Sequence, residues 1–473
     1  MNNYSEEKKS IINQINSVAV YRDQFINKSK YYYSELIRFY KYNTLDDGSV
    51  LEIGCGNGYL LNALKPSRGV GIDISPEMIG AAGKKYPHLT FLTMDAENID
   101  IQEKFDYIIM SDTLGYFEDI QKVFFQIKKN TKPSTRIIIN YHNFIWSPLL
   151  KIAESLGLKM PQKRLNWLNE DDIANLLYLE GYDVIKTGKK LLIPKKIFLL
   201  SNIVNKYIAP LPVINGFCLV GHIIARQNTN ESEEKKVSVV IPTRNERGNI
   251  ENAIRRMPKL GSHTEIIFVE GGSSDGTSEE IKRVVEKYKE SHDIKFYTQK
   301  GRGKGDAVRL GFEKASGDIL MILDADLTVS PEDLTKFYEA ISLNKGEYIN
   351  GTRLVYPMER EAMRTLNMMA NKFFSIAFTW ILGQKIKDTL CGTKVISKNN
   401  YQRLVVSRKY FGDFDPFGDF DLIFGASKLN LKFVEIPIKY KARSYGVTNI
   451  SRFKHGWLLL KMLALACKKI KFT

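Results

Sequence analysis

The strongest constraint on the fold is that short apolar runs alternate with helical patterns along most of the chain. The runs occupy residues 50–53, 70–74, 89–94, 107–110, 137–141, 217–226, 237–241, 266–269 and 319–323. Nearly all are continuously apolar, which is typical of parallel strands covered by helices on both faces. The pattern therefore predicts an α/β fold, in which ligands bind at the carboxyl ends of the strands.

A polar segment divides this alternation into two blocks. Residues 227–236 read QNTNESEEKK and lie between two apolar runs. Such a composition is typical of a flexible connector, and 473 residues are more than one hydrophobic core normally supports. We therefore predict two domains, at residues 1–227 and 237–440, joined by a linker at 228–236 and followed by a basic segment at 441–473.

Cysteine usage and hydropathy limit the class of protein. The four cysteines are scattered and form no CxxC pair, which argues against a disulfide framework or a zinc site and fits a reducing compartment. The first ten residues, MNNYSEEKKS, lack the apolar core of a signal peptide. No segment reaches the ~20 apolar residues that a membrane-spanning helix needs. We expect a cytoplasmic protein.

The net charge of +16 is concentrated near the C-terminus. Residues 428–473 contain 11 Lys or Arg and the single acidic residue Glu435. A local basic patch suits an anionic membrane, a phosphate-bearing substrate or nucleic acid, and it also occurs as a tail that merely improves solubility. Because no nucleic-acid-binding motif accompanies the charge, we expect no nucleic-acid partner.

The end of this basic segment has the pattern of an amphipathic helix. Within residues 453–472, which are mostly apolar, Lys454, Lys461 and Lys468 recur every seven positions. On a helix this spacing gives a narrow cationic stripe beside a wide apolar face. Such a helix suits the inner face of an anionic membrane, so we expect peripheral membrane contact. The alternative is a helix that packs on its own domain.

The first block carries a glycine-rich turn and acidic strand ends. Residues 50–58 read VLEIGCGNG, and the next two predicted strands each end near an Asp. Glycine permits a sharp turn and a close approach of the backbone to a ligand. An acid after the second strand can accept both hydroxyls of a ribose. The candidate cofactor-binding residues are Glu52, Gly54, Gly56, Gly58, Asp73 and Asp95.

The spacing of these glycines is GxGxG rather than the GxGxxG of dinucleotide-binding enzymes, and an acid precedes it by two residues. Residues 20–227 resemble class I S-adenosylmethionine-dependent methyltransferases in this motif. The resemblance implies a Rossmann-like domain that binds S-adenosylmethionine, with Asp73 at the ribose and Asp95 near the adenine. An oxidoreductase and an inactive domain are the alternatives. His142 is a candidate base for a hydroxyl acceptor, although a structural hydrogen bond is the preferred interpretation.

The second block carries four polar motifs in order after its apolar runs. They are PTRNE at 242–246, EGGSSDGT at 270–277, GRGKGDA at 301–307 and the pair Asp324 and Asp326. Side chains two residues apart on an extended chain point to the same side. Paired carboxylates suit Mg²⁺ or Mn²⁺ that bridges a diphosphate. An ion pair formed by these carboxylates within the protein would argue against that metal site.

Residues 237–438 resemble family 2 glycosyltransferases of the GT-A fold, especially the dolichyl- or polyprenyl-phosphate mannose and glucose synthases. The resemblance implies a nucleotide-diphospho-sugar donor and a metal held by Asp324 and Asp326. Glu270 and Gly271 stand where the family usually has two Asp residues, so the preferred nucleotide is open. The implied donor-binding residues are Pro242, Asn245, Glu246, Glu270, Lys304 and Asp324.

Three later segments resemble the acceptor side of the same family. They are DTLCGTK at 388–394, FGDFD at 417–421 and RSYGVTN at 443–449, where Asn449 replaces a family Lys. In this comparison Lys394 and Arg443 contact anionic groups of the acceptor. The implied catalytic residues are Asp326, Asp388, Asp419 and Asp421.

The two resemblances together predict a bifunctional enzyme. Its C-terminal domain transfers a sugar, with inversion and metal dependence, to a polyprenyl phosphate or a glycan. Its N-terminal domain methylates a small molecule, predicted to be a sugar, in surface-glycan assembly. A phosphate acceptor needs no base, whereas a sugar hydroxyl needs a carboxylate such as Asp419 or Asp421. The alternative is a glycosyltransferase whose N-terminal domain only binds or docks.

Overall fold

The structure is a computed structural model that describes residues 4–161, 166, 168–229, 234–355, 365–410, 420–441, 443, 445 and 452–472. The chain divides into two compact units. Unit 1 comprises Met1–Thr229 with Phe472–Thr473, and unit 2 comprises Asn230–Lys471. Each unit contains a seven-stranded sheet, as expected for two α/β domains. Residues 230–233 of the predicted linker lie outside the described residues.

Unit 1 begins with three helices and then alternates strands with helices. Its elements are α1 Glu6–Ala19, α2 Arg22–Lys28, α3 Lys30–Asn43, β1 Ser49–Ile53, α4 Tyr59–Leu64, β2 Arg68–Asp73, α5 Pro76–Lys85, β3 Thr90–Thr93, β4 Tyr107–Ser111, α6 Ile120–Gln126, β5 Arg136–His142, α7 Ser147–Ser155, α8 Glu170–Leu179, β6 Tyr182–Lys190, α9 Leu200–Ile203 and β7 Val220–Gln227. The sheet order is β3-β2-β1-β4-β5-β7-β6. Strands β1 to β5 are parallel, and β7 is antiparallel to both of its neighbours.

Unit 2 follows a related plan. Its elements are β8 Lys236–Thr243, α10 Ile250–Arg255, β9 His263–Glu270, α11 Thr277–Tyr288, β10 Asp293–Thr298, α12 Lys304–Lys314, β11 Ile319–Ile322, α13 Leu334–Ser342, β12 Tyr348–Thr352, α14 Thr365–Leu382, β13 Lys394–Ser397, α15 Lys398–Ser407, α16 Phe420–Lys428, β14 Phe433–Pro437 and α17 Arg452–Ala466. The sheet order is β10-β9-β8-β11-β13-β12-β14, and β13 is antiparallel to β11 and β12.

In each sheet the order of the strands along the chain reverses at one point, which we call the switch point. It lies between β1 and β4 in unit 1 and between β8 and β11 in unit 2. In open α/β sheets, ligands bind at such a point, outside the carboxyl ends of the strands. The glycine-rich turn of residues 54–58 follows β1, and Asp324 lies two residues after β11. The topology therefore places both predicted sites at the positions where α/β sheets bind ligands.

A strand is present at each of the nine apolar runs that the sequence predicted, and α4 begins at Tyr59 as expected. Five strands were missed, namely β6, β10, β12, β13 and β14. Strand β6 has only two buried residues among nine, and β10 is partly exposed along its length. Such strands lack the continuous apolar signal because one face is not fully covered.

The C-terminal helix α17 continues as a short π-helix over Cys467–Lys471. One face is buried within unit 2 through Leu459, Met462, Ala466 and Ile470, while the side chain of Trp457 is 61% exposed. This arrangement matches the alternative that the helix packs on its own domain, and membrane contact by the helix stays a prediction. Among the described residues, none of the helices has the length and apolar character needed to cross a membrane.

Close packing of α12 on β8 depends on one small residue. A Cβ atom added to Gly311 of α12 would lie 2.3 Å from Cγ1 of Val240 in β8. We expect Gly311→Ala to lower the free energy of unfolding by about 1–3 kcal/mol, because the helix must move away from the strand. Thermal unfolding followed by circular dichroism measures the change.

The matched control is Gly80→Ala in α5, since a Cβ at Gly80 meets nothing within 4 Å. Alanine favours a helix over glycine, so this variant should be neutral or up to about 1 kcal/mol more stable. Equal unfolding temperatures for the two variants would contradict the packing that we describe.

Candidate active sites

A cavity lies at the carboxyl edge of the unit 1 sheet. Its walls come from the glycine-rich turn, the strand ends and the N-terminal helices, and they include Glu52, Gly54, Gly56, Asp73 and Asp95. Five of the six candidate cofactor residues therefore line one cavity. The sixth, Gly58, is beside Phe91 instead, because a Cβ at Gly58 would lie 2.5 Å from that ring.

The glycine-rich turn is held in place by the acid at the end of β2. Oδ2 of Asp73 accepts the N–H of Gly56 at 2.8 Å, and Oδ1 accepts the N–H of Ser75 at 2.9 Å. Gly54 and Gly56 have φ of 71° and 53°, the left-handed region that favours glycine. A Cβ at Gly54 would also lie 2.3 Å from Thr113. The motif residues thus shape the cavity wall through the backbone.

Glu52 is the unusual acid of this cavity. Its side chain is buried, and none of the described residues hydrogen-bonds to its Oε2 atom. Burial raises the pKa of Glu52 to about 8. A buried carboxyl that lines a cavity and has one oxygen without a partner among the described residues fits a ligand with a positive charge, because the ligand supplies the missing partner. S-adenosylmethionine carries an ammonium and a sulfonium, so the residues present fit this cofactor.

Two basic residues of the N-terminal helices also reach the cavity, and the sequence analysis missed both. Nζ of Lys8 lies 2.7 Å from Oδ2 of Asp95 and 3.1 Å from Oε2 of Glu97. Arg22 donates to the hydroxyl of Tyr33 at 3.0 Å and lines the cavity. Neither residue belongs to a motif, and the helices that carry them precede the first strand. Only the tertiary fold brings them to the site.

The ends of β4 and β5 form a polar network next to the cavity. Oδ2 of Asp112 accepts the hydroxyl of Tyr32 at 2.6 Å, and its Oδ1 accepts the amide of Asn140 at 2.6 Å. Nδ1 of His142 is 3.5 Å from the same Oδ1 atom. His142 is thus held beside Asp112, which lines the cavity. The contact matches the structural interpretation that the sequence analysis preferred for His142.

The raised pKa of Glu52 generates a prediction about pH. A cationic ligand binds the ionised carboxylate, so we expect the affinity for S-adenosylmethionine to increase as the pH rises through about 8. The ammonium of S-adenosylmethionine titrates in the same range, so the wild type is compared with Glu52→Gln at each pH by isothermal titration calorimetry. We expect the affinity of the wild type to rise about tenfold from pH 6.5 to pH 9 relative to that of Glu52→Gln, because the sulfonium keeps its charge throughout. Identical pH profiles would contradict a contact with Glu52.

In unit 2 the loops after β8 and β9 are joined by hydrogen bonds. The N–H of Asn245 donates to Oγ of Ser273 at 2.9 Å, and its side-chain oxygen accepts the N–H of Ser274 at 2.9 Å. Glu270, at the end of β9, accepts the N–H of Ser273. Pro242 lies within β8, three residues before Asn245. These three predicted donor-side residues and their loops therefore form one wall at the carboxyl edge of the sheet.

The C-terminal segment reaches this wall through two residues. Nη1 of Arg443 lies 3.1 Å from Oε1 of Glu246, and Nη2 lies 2.7 Å from Oδ2 of Asp326. Tyr445 packs on the same loop, since a Cβ at Gly248 would lie 2.5 Å from the tyrosine ring. Arg443, which was predicted for the acceptor, thus contacts Glu246, predicted for the donor, and Asp326, predicted for the metal and for catalysis.

Asp324 forms a separate ion pair. Nζ of Lys304, at the start of α12, lies 2.7 Å from its Oδ1 atom. Burial acts to raise the pKa of Asp324, but the charges of Lys304, Lys394 and Arg353 outweigh it and lower the pKa. Gly392 leaves room for this pair, because a Cβ there would lie 1.8 Å from Oδ2 of Asp324. The carboxyl is therefore ionised at neutral pH.

These ion pairs weigh against a metal site that is already assembled in the protein. Asp324 is paired with Lys304, and Asp326 with Arg443. Within the described part of the chain, no cluster of three or more His, Cys, Asp or Glu side chains is arranged to hold a metal. The two carboxylates are nevertheless hard oxygen donors beside two cations that suit a diphosphate. Metal binding at Asp324 and Asp326 stays a prediction, and it requires further ligands from a substrate.

Two residues predicted for the acceptor side are buried in ion pairs or hydrogen bonds. The guanidinium of Arg353 donates to both oxygens of Asp388, at 2.6 and 2.8 Å. Burial opposes ionisation of Asp388, but Arg353 outweighs it and lowers its pKa, so this carboxylate is a weak proton acceptor. Lys394 is 1% exposed and donates to the carbonyl of Cys391. Neither side chain lies at an open surface, and the roles predicted for them at the acceptor stay predictions.

The two remaining catalytic candidates are Asp419 and Asp421. Asp419 lies outside the described residues. Asp421 lies in the first turn of α16, and its Oδ2 atom is 2.8 Å from Nε of Arg408. This ion pair joins α16 to the segment after α15. A structural role accounts for the contact of Asp421, and its catalytic role stays a prediction.

Comparison with known proteins identifies both units. A model of the Glycosyl transferase family 2 matches residues 238–405, and a model of a Methyltransferase domain matches residues 25–187. The dolichyl-phosphate beta-glucosyltransferase of Saccharomyces cerevisiae is 30% identical over 249 residues, which cover 46% of this chain and 72% of the yeast protein. The chain belongs to glycosyl transferase family 2. The methyltransferase match lies entirely before the first strand of unit 2, so this family 2 transferase also contains a methyltransferase domain.

Two further proteins resemble parts of this family 2 transferase. Glycosyltransferase AglJ of Haloferax volcanii is 26% identical over 225 residues, which cover 47% of this chain and 69% of AglJ. A crystal structure of a SAM-dependent methyltransferase of Thermotoga maritima, described as a possible histamine N-methyltransferase, has 18% identity and a TM-score of 0.36. It covers 46% of this chain and 99% of its own. The family assignments confirm both resemblances stated from the sequence, and both domains indicate transferase activity.

Proposed function

We propose that the chain is a bifunctional enzyme. Unit 2 transfers a sugar from a nucleotide-diphospho-sugar to a polyprenyl phosphate or a glycan, with inversion, and unit 1 methylates a small molecule, a sugar, in surface-glycan assembly. The observation that carries the first activity is the grouping of Glu246, Asp326 and Arg443 beside the pair of Lys304 and Asp324 in a family 2 member. The second rests on a cavity lined by the methyltransferase motif.

In the proposed donor site, the residues of unit 2 bind and orient the nucleotide sugar. The joined loops after β8 and β9, with Pro242, Asn245 and Glu270, face the base and ribose. Lys304 and Arg443 neutralise charge on the diphosphate as it departs, since cations near a leaving group stabilise the transition state. Asp324 and Asp326 would hold Mg²⁺ or Mn²⁺, which as a Lewis acid supplies further stabilisation of that charge.

A polyprenyl phosphate is the better supported acceptor. The yeast relative carries dolichyl phosphate in its name, and a phosphate arrives ionised, so no base is needed. A glycan hydroxyl would require a carboxylate that accepts a proton. Asp388 and Asp421 are both engaged with arginines, which makes them weak candidates. Arg443 is a suitable cation for the phosphate, because guanidinium groups bind phosphate through paired hydrogen bonds.

In unit 1 the cofactor would be S-adenosylmethionine. Gly54, Gly56 and Asp73 shape the wall that receives the nucleoside, and Glu52 offers its carboxylate to a cationic group. Methyl transfer needs little beyond alignment of the acceptor with the methyl group. The alternative is that unit 1 binds or docks without catalysis. It is favoured if S-adenosylmethionine does not bind.

We also place the protein in the cytoplasm, in peripheral contact with the inner face of the membrane, where a polyprenyl phosphate would be available. The support is the exposed Trp457 on α17 and the basic C-terminal segment, since Trp and Lys suit the interface. No nucleic-acid partner is expected.

The metal role is tested by Asp326→Ala in the purified protein with UDP- and GDP-sugars and a short polyprenyl phosphate. We expect a turnover number at least about 100-fold lower and loss of stimulation by Mg²⁺ or Mn²⁺, because a ligand of the charge-stabilising ion is removed. Product is measured by mass spectrometry. Asp333→Ala, whose carboxylate pairs with the exposed Lys336, is the control and should retain activity.

The same assay distinguishes stabilisation of the leaving group by a metal ion from stabilisation by the cationic side chains of the protein. If Lys304 and Arg443 alone neutralise the leaving group, EDTA leaves the rate unchanged while Arg443→Ala lowers it. Full activity of Asp326→Ala, with or without EDTA, would rule out the proposed metal role.

The cofactor role of unit 1 is tested by isothermal titration with S-adenosylmethionine. We expect saturable binding to the wild type and about 10- to 100-fold weaker binding to Asp73→Ala, because a buried charged acceptor at the proposed ribose site is lost. Asp46→Ala, at an exposed carboxylate before β1, should bind as the wild type. Absence of binding to the wild type would favour the docking alternative.

A further inference from the structure

Unit 1 has a large apolar surface that the proposed activities do not use. It is formed by residues 144–158 and 195–217, which we call the apolar face. Nine of its apolar side chains are more than half exposed, among them Phe144, Leu149, Leu156, Phe198, Val213 and Phe217. Every residue of α7, which lies within it, is at least partly exposed. Apolar patches of this kind mark interaction surfaces.

The two segments of the apolar face are directly connected. The amide of Asn143 donates to the carbonyl of Gly216 at 2.9 Å, and the indole N–H of Trp146 donates to the carbonyl of Phe217 at 2.8 Å. The longer segment is folded on itself, since the hydroxyl of Ser201 donates to the carbonyl of Lys195 at 2.6 Å. The apolar side chains are therefore presented by an ordered scaffold, not by an unstructured loop.

The tips of the longer segment are held in a backbone conformation that apolar residues rarely adopt. Leu199 has φ of 52° and Val213 has φ of 68°. A β-branched side chain in the left-handed region is disfavoured. Phe198, next to Leu199, is 86% exposed, and Val213 is 83% exposed. Such strain at exposed apolar tips points to function, because strained residues cluster at sites that bind.

The charge of the same region indicates what it binds. The apolar face contains Lys151, Lys195, Lys196 and Lys206 and one acid, Glu154. Lys195, Lys196 and Lys206 are exposed among the apolar side chains. Apolar side chains flanked by lysines suit an anionic bilayer, with the apolar groups among the acyl chains and the lysines at the headgroups. A second copy of the chain would bring these lysines against one another, which disfavours self-association.

The apolar face adjoins the cavity of unit 1 at both ends of its shorter segment. Residue 144 follows β5, whose last residue, His142, contacts Asp112 in the cavity wall. Past the other end, Met160 and Pro161 line the cavity themselves. A surface resting on a bilayer here would hold the cavity close to the headgroups.

We propose that the apolar face docks unit 1 on an anionic lipid bilayer, so that its cavity receives a methyl acceptor anchored in that bilayer. The docking itself stands on the apolar face alone, whereas the anchored acceptor rests on the methyltransferase activity proposed above. None of the residues of helix α17 belongs to the apolar face.

The test is flotation of the full chain with vesicles of phosphatidylglycerol and phosphatidylcholine in equal amounts. Phe198→Asp combined with Val213→Asp should lower the partition coefficient at least about tenfold, because two charges replace the most exposed apolar groups. Tyr178→Asp combined with Phe125→Asp is the matched control, since these side chains are 76% and 58% exposed outside the apolar face. The control should float as the wild type.

A charge variant provides a second, independent measurement. Lys195→Glu combined with Lys196→Glu should weaken binding to the anionic vesicles by at least about 30-fold, but not to vesicles of phosphatidylcholine alone. Wild-type flotation of both variants would overturn the proposal, as would a change confined to the oligomeric state in light scattering. Unchanged thermal unfolding followed by circular dichroism shows that the variants are folded, and it keeps this result separate from cofactor binding and the proposed methyl transfer.

Discussion

The burial of parallel strands on both faces is the constraint on which both sites depend. Because these strands are covered by helices, polar side chains gather mainly at the strand ends, and the carboxyl ends of neighbouring parallel strands meet at one edge. In unit 1 this edge collects the turn after β1 and Asp73, and in unit 2 it collects Glu246, Glu270 and Asp324. The chemistry of each unit follows from acids that the sheet brings together.

The two units balance this negative charge differently. In unit 2 the acids are paired with cations from other segments, Lys304 from α12 and Arg443 from the C-terminal segment. In unit 1 Asp95 is paired with Lys8, while Glu52 has an oxygen without a partner among the described residues and a raised pKa. The ion pairs of unit 2 suit an anionic diphosphate, which can replace the carboxylates as the partner of Lys304 and Arg443. The buried Glu52 of unit 1 suits a cationic ligand.

Arg443 has a central place in the glycosyltransferase unit. It contacts Glu246 after β8 and Asp326 after β11, so one guanidinium spans the two sides of the switch point. A donor diphosphate or an acceptor phosphate would compete with these carboxylates for the same hydrogen-bond donors. Ligand binding and the position of the C-terminal segment are therefore expected to be coupled.

The sequence by itself determined the two α/β domains, the apolar parallel strands and the acids and glycines at their ends, because local motifs and continuous apolar runs are readable without the fold. Only the tertiary structure decided which charges meet. The pairs of Arg443 with Asp326 and of Arg353 with Asp388 join residues far apart in the chain, and the exposure of the apolar face depends on what covers it. The sequence pattern also failed to predict partly exposed strands such as β6 and β10. These strands are stabilised by their neighbours in the sheet and lack a continuous apolar run of their own.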